Sequence, residues 1–259
     1  MPIIKNTSER NERAGAKRRA ALRFFRDEIY SVPATIGTLW GVQERGTRAT
    51  LSSMEKDGLI KRHSLLIAPG MPPMTVIGIT QHGQSMAFDI AAGEVPSKRS
   101  FEPGRYSLVQ LAHRLDIQHL RIKAEATKRV AKWTPGHALD IPVAKSKKIK
   151  RPDAEVKDFS GKVSAVEVER YLKSVQRYKS ILENYLTAIK QGKYKKVIWA
   201  CPVQKASDSK NRIASAERLE AIMKSIKSCN IAGISTVLAK EHWKYFVFCD
   251  YQSFTDHIS

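Results

Sequence analysis

The chain has no apolar run near the roughly 18 residues that a membrane-spanning helix needs, and its first residues carry no apolar signal-peptide core. The expectation is a cytoplasmic protein with no membrane insertion. Cysteine is scarce. Cys201, Cys229 and Cys249 are odd in number and far apart, which excludes a disulfide framework and a spaced zinc site. There is no His-x-His pair, and His113 and His119 miss the i,i+4 spacing of a helical metal pair. Acidic residues are also in short supply, with 25 Asp+Glu against 45 Lys+Arg and a net charge of +20. Such an excess favours a polyanionic partner, above all nucleic acid, with a membrane surface as the main rival. Apolar residues make up 42% of the chain, enough for packed cores, so global disorder is excluded. At 259 residues the chain fits one large or two modest domains.

Residues 1–20 carry Arg10, Arg13, Lys17, Arg18 and Arg19 with little apolar content, and read as a mobile basic arm or a frayed terminus. Leu22, Phe25 and Ile29 then recur at helical spacing. Pro33 can open a second helix carrying Ile36, Leu39 and Trp40, with Gly41 as its stop. The stretch from Thr47 to Asp57 reads as a third helix with Leu51 and Met54 inward and Gly58 ending it. Leu59-Ile60 opens a strand to about Ile67. A proline-rich turn leads to a strand from Thr75 to Thr80, and Gln81-His82-Gly83 starts another helix. Over residues 21–91, "MEKDGLIKR" and "VIGIT" in this order resemble a winged helix-turn-helix. The resemblance implies a third helix in the major groove, with Arg45, Thr47, Arg48, Thr50 and Ser53 outward to contact bases and phosphates. The other use of such a domain is protein contact.

Residues 92–106 are poor in periodic apolar positions and contain two prolines, so they read as a linker to a second domain over 107–259. There the expected order is a helix from Leu108 to Trp133, a strand at Leu139–Val143, a strand pair around Asp153 and Glu167, and a helix from Arg170 to Gln191. A strand at Val197–Cys201, a helix at Ala216–Ile226 and a last strand at Ile234–Leu238 complete it. Lys145, Lys147, Lys148, Lys150 and Arg151 crowd the turn before Pro152. They are a solvated face or a grip on a phosphate backbone.

The chemistry concentrates in Arg151-Pro152-Asp153-Ala154 and Glu167-Val168-Glu169. Ala165, Val166 and Val168 make the second segment a buried strand, and alternation puts Glu167 and Glu169 on one face. A hairpin partner carrying Asp153 adds a third carboxylate. Three converging carboxylates repel unless a cation sits among them, and hard oxygens suit Mg²⁺ or Mn²⁺. The plain alternative is an exposed edge hairpin with solvated acids. Lys173 and Arg177 follow Glu169 at steps of four, one helix face. Tyr171, Tyr178 and Tyr185 fall on a helix stripe with Val175, Leu182 and Ile189, a pattern of core packing rather than of a nucleophile.

"RPDA" and "VEVERYLKS" resemble the core of the PD-(D/E)xK nucleases. With "LAHRL" and "RYKSILENY", and with the winged helix before them, the chain from about 20 to 240 resembles the MobC-class plasmid relaxases of the replication-relaxation family. The fold class implied is α/β (α+β): an N-terminal winged helix-turn-helix, then a restriction-endonuclease-like mixed-sheet domain. The resemblance implies a metal-dependent nickase at a plasmid origin of transfer. It acts on double-stranded and nicked or single-stranded DNA, with relaxosome accessory and coupling proteins as partners. Asp153, Glu167 and Glu169 would be the metal ligands, and Lys173 and His113 further catalytic residues. Lys147, Lys148 and Arg177 would hold DNA. The sequence departs from the parent pattern at Glu169, where a lysine is expected, and Lys173 is the substitute. The alternative function is a non-catalytic regulator of plasmid replication or copy number.

Overall fold

The computed structural model describes residues 7–67, 69–88, 94, 98–139, 150–203 and 213–258. It is a mixed α+β protein that divides into two compact units, Met1–Gln118 and His119–Ser259.

The first unit opens with α1 (Thr7–Glu28). The basic stretch expected to be mobile is helical from Thr7 onward, because Ala, Arg, Lys and Glu all favour helix and tertiary contacts hold it. Trp40 Nε1 donates to the Lys17 carbonyl at 2.9 Å, and Arg18 reaches Asp57 at 2.5 Å and Ser53 at 3.2 Å. The buried end of α1 carries Ala21, Leu22, Phe24 and Phe25. Next come β1 (Tyr30–Ser31), α2 (Pro33–Trp40), α3 (Glu44–Lys56), β2 (Ile60–Leu65), β3 (Met74–Ile79) and α4 (Gln81–Ala87). Pro33 stands in the first turn of α2, and Gly41, at φ 61°, caps it in the left-handed region. The strands form an antiparallel sheet in the order β1-β3-β2.

The expected linker is in part a packed strap. Phe101 is 1% exposed, its N–H donates to the Ile79 carbonyl at 2.8 Å, and its ring lies on Gly78 of the middle strand. A Cβ at Gly78 would stand 2.3 Å from the Phe101 side chain, so only glycine admits this approach. Tyr106 and Leu111 complete the small apolar cluster with Tyr30 and Val76. The division into units falls inside α5 (Leu108–Ala126), whose Gln118 side chain accepts from Ser31 Oγ at 2.7 Å and donates to the Tyr30 carbonyl at 2.8 Å.

In the second unit, β4 (Val130–Pro135) leads through a 3₁₀ turn (Gly136–Ala138) toward β5 (Ala154–Asp158). Then come β6 (Val163–Val168), α6 (Val175–Lys190), β7 (Lys196–Cys201), α7 (Ala216–Lys224), β8 (Ser228–Ile231), β9 (Ile234–Val237), α8 (Lys240–Trp243) and β10 (Phe246–Asp250). The five-stranded sheet runs β10-β7-β6-β5-β4, parallel from β6 to β10 and antiparallel from β4 to β6. α6 packs Tyr178, Leu182 and Tyr185 against Ala165, Val197 and Trp199. Several expectations are corrected. α5 stops at Ala126 rather than Trp133, since Lys128 takes a left-handed φ of 57° and Trp133 belongs to β4. Val130 and Trp133, three apart, fit a helical period by coincidence. α6 starts at Val175 rather than Arg170, because the Ser174 side chain caps it by accepting from the Arg177 N–H. Tyr171 is therefore off the helix, 53% exposed, and bridged to Ile213. Among the described residues the strand at Ile234 pairs only with β8, and β10, unmarked by alternation, is the last strand. The strand expected at Leu139–Val143 falls largely outside the described residues.

Candidate functional site: a carboxylate and lysine cluster at the end of the central strand

Ala165, Glu167 and Glu169 alternate onto one face of β6 and its extension, and Ala165 packs into the cluster made by α6. The two acids are therefore carried under α6, where Glu167 is 2% and Glu169 3% exposed. That burial overturns the solvated edge hairpin. β6 is a central strand, and Glu169 N–H still pairs with the Ala200 carbonyl of β7 at 2.9 Å.

Asp153 is positioned by its own backbone. Its N–H donates to the Val166 carbonyl at 3.0 Å, and its carbonyl accepts from Gly136 N–H at 2.7 Å. A Cβ at Gly136 would come 2.0 Å from the Pro152 carbonyl, so glycine is required for the turn to close on this segment. Where the β5–β6 ladder ends, Asp153 Oδ2 accepts from Val168 N–H at 2.8 Å. The carboxylate thus continues the ladder in place of a carbonyl. The Asp153 charge disfavours the ionised form of both glutamates.

Two ammonium groups stand among them. Lys150 Nζ lies 2.9 Å from the Glu167 carboxylate, and Lys173 Nζ lies 2.5 Å from Glu169. Lys173 makes this contact from the non-helical stretch before Ser174, not from the helix face that its spacing suggests. The Tyr185 hydroxyl donates to Glu167 Oε1, and the Tyr178 hydroxyl accepts from the Lys173 N–H at 3.0 Å. Burial and the Asp153 charge push Glu167 up to about 7, against the pull of Lys150 and Tyr185. Burial also raises Glu169, with Lys173 opposing. For Lys150, burial lowers the pKa, but the Glu167 and Asp153 charges outweigh it and hold the ammonium charged. Both partners of this pair are thus raised, and each holds its proton more tightly than it would in water. Lys150 keeps its proton, and Glu167 is the group that changes state near neutrality. Burial raises the pKa of Tyr178 and Tyr185, which keeps both as neutral phenols.

The carboxylates of Asp153, Glu167 and Glu169 have the hard-oxygen chemistry of Mg²⁺ or Mn²⁺ and would gain from added positive charge. Among the described residues no three His, Cys, Asp or Glu groups gather at metal-ligating distance. Lys150 now supplies part of the charge, so a cation held by Asp153 and Glu167 would take over its contact with Glu167.

The remaining expected residues are dispersed. Arg45 and Arg48 are exposed on α3, and Arg48 pairs with Glu44 one turn earlier. Ser53 is exposed and accepts from Arg18, while the half-buried Thr50 bonds the Gly46 carbonyl at 3.2 Å. Thr47 is a correction. It is 1% exposed, because it stands four and seven residues before Leu51 and Met54, on the inward stripe of α3. Its hydroxyl bonds the Gln43 carbonyl at 3.1 Å and backs onto Gly37 of α2, so it cannot face DNA. Arg177 is exposed in the first turn of α6, and His113 is half-buried in the first unit. Lys147 and Lys148 lie outside the described residues. Lys150 and Tyr185 are the participants that sequence reasoning missed. Lys150 is one of several lysines in a run, and Tyr185 is one member of an apolar stripe, so no periodic signal separates either.

Among the described residues no helix is long and apolar enough to cross a membrane. No protein-family model matches the chain, nor does any curated protein or solved structure.

Proposed function

We propose that this protein is a DNA nickase that starts plasmid mobilisation at an origin of transfer, as the resemblance to the MobC-class relaxases suggests. The observation that carries the reading is the buried cluster of Asp153, Glu167 and Glu169 with Lys150 and Lys173 at the end of β6. On this reading the first unit is a winged helix-turn-helix and the second a restriction-endonuclease-like domain. α3 enters the major groove with Arg45 and Arg48 toward bases, and Ser53 and Thr50 toward phosphates. The high positive charge steers the duplex in. DNA at the origin, a relaxosome accessory protein and a coupling protein are the proposed partners, and the compartment is the cytoplasm.

Asp153 and Glu167 are the residues that would hold Mg²⁺ or Mn²⁺. When bound, such an ion would supply Lewis acidity toward the phosphoryl oxygen and lower the pKa of a nearby water. Glu169 accepts a hydrogen bond from the attacking water and orients it. Lys173 neutralises charge developing on the phosphorus oxygens, which it can do once it lets go of Glu169. Tyr178 and Tyr185 are buried, with both hydroxyls engaged on the chain itself, so neither is offered as a nucleophile.

One observation favours a second reading, the non-catalytic regulator. Lys150 and Lys173 already balance the two glutamates, so the cluster can stand as structure alone. Purified protein on supercoiled plasmid carrying its own origin, with and without Mg²⁺ or Mn²⁺, separates the two. The nickase converts supercoiled to open-circular DNA only with metal, and Asp153→Ala or Glu167→Ala abolishes this while duplex binding persists. Tight binding without any nicking assigns the regulator.

A further inference from the structure

A cavity of about 320 Å³ opens on the first unit between the strap, β1 and α5. One wall is flat and aromatic. Tyr30 and Tyr106 stack with ring centres 5.0 Å apart at 27°, and the Arg114 guanidinium lies 4.7 Å over the Tyr30 ring. The rest of the lining is rich in cations, with Lys98, Arg99 and Arg105, and among the described residues its one acid is Glu102. Glu102 pairs with Arg105 at 2.7 Å, but those side chains are 50% and 80% exposed, so the pair is weak and opens readily. The Tyr106 hydroxyl oxygen is buried and has no hydrogen-bond partner among the described residues. An orphaned buried hydroxyl costs stability unless something uses it. A small aromatic core needs neither a cavity nor a ring of cations around it.

We propose that this cavity receives one nucleotide, its base against the Tyr30–Tyr106–Arg114 wall and its phosphate among Lys98, Arg99 and Arg105. Aromatic rings and guanidinium planes both stack on bases without regard to sequence, and arginine forks suit phosphate oxygens. The volume sits at the low end of the roughly 300–1,000 Å³ of small-molecule sites, which suits one base and one phosphate. The same chemistry is offered by a free mononucleotide and by an unpaired nucleotide of a DNA strand. In the second case the first unit grips an unstacked strand as well as duplex. The proposal does not depend on whether the carboxylate cluster cuts DNA.

Calorimetric titration of the full chain with deoxyadenosine monophosphate tests it, beside inorganic phosphate and deoxyadenosine as the two halves of the ligand. Saturable binding of the nucleotide, tighter than either half, is expected. Arg105→Gln and Arg114→Gln should each weaken it about tenfold, the loss of one charge-assisted contact. The charge-matched Lys190→Gln, on the exposed end of α6, should leave it unchanged. Tyr106→Phe keeps the ring and removes the orphan hydroxyl, so it should bind several-fold more weakly while melting no lower than the parent. A duplex with one unpaired nucleotide that binds better than a fully paired one, and is displaced by the mononucleotide, identifies the strand as the source. Mononucleotide binding with no such preference identifies the free nucleotide. Absence of saturable nucleotide binding, or equal affinity in Arg105→Gln, Arg114→Gln and Lys190→Gln, overturns the proposal.

Discussion

Replacing Glu167 by Gln should flatten the pH dependence of stability between mildly acidic and neutral solution. Glu167 titrates at 4.5 in an unfolded chain and at about 7 in the fold, where burial and the Asp153 charge penalise its ionised form more than Lys150 and Tyr185 support it. Because the folded pKa is the higher one, the folded state prefers the protonated carboxyl. Its contribution is fully present below about pH 4.5 and is lost as pH rises through about 7. A displacement of that size corresponds to about 3 kcal/mol. Wild type should therefore lose on the order of 3 kcal/mol between pH 4.5 and 8 from this group, and Glu167→Gln should lose none of it. Gln is of similar volume and can still accept from Tyr185. Glu169, also raised, and Asp158 and Asp250, both lowered by hydrogen bonds, remain in the two proteins, so the difference isolates residue 167. Urea unfolding at pH 5 and pH 8, followed by tryptophan fluorescence, reads this directly. Trp199 is fully buried with its ring centre 6.5 Å from that of Tyr185 and reports on the second unit. Parallel pH slopes in the two proteins would refute the account and show that Glu167 stays ionised throughout.

Arg48→Ala should reduce discrimination between the origin and random duplex by about 1–3 kcal/mol, measured by competition binding. Thr47→Val, changing a buried residue, should alter the melting temperature and leave discrimination alone. Tyr178→Phe should keep most of the nicking activity, since the hydroxyl is buried against Lys173 N–H. A protein–DNA adduct that survives denaturation in the parent and vanishes in this variant would overturn that view. Gly78→Ala should destabilise the first unit by roughly 1–3 kcal/mol through overpacking, because the new methyl meets Phe101 at 2.3 Å. Unchanged thermal unfolding would mean that the strap does not hold the sheet.

Local rules in the sequence determined much of this protein. Pro33 and Gly41 bracket α2, apolar spacing marks α6 and α7, and the run from Val163 to Val168 reads as a buried strand without help from the rest of the chain. The alternation of Glu167 and Glu169 is likewise a property of any strand. What local rules left open was decided by contacts between distant segments. Thr47 shares the stripe of Leu51 and Met54, and it is Gly37 of α2, earlier in the chain, that covers its hydroxyl. Phe101 packs on the sheet only because Gly78, far back in the chain, leaves room. Lys150 becomes a counter-ion only where the end of β6 brings Glu167 beside it, and Tyr185 becomes a hydrogen-bond donor only because α6 lies over that strand. A pKa is decided there as well. Glu167 reaches about 7 through burial and the nearness of Asp153, neither of which exists until the sheet has formed. Periodicity reports which way a side chain faces within its own element, whereas pairing and burial depend on which other element covers that face. That second fact belongs to the tertiary structure alone.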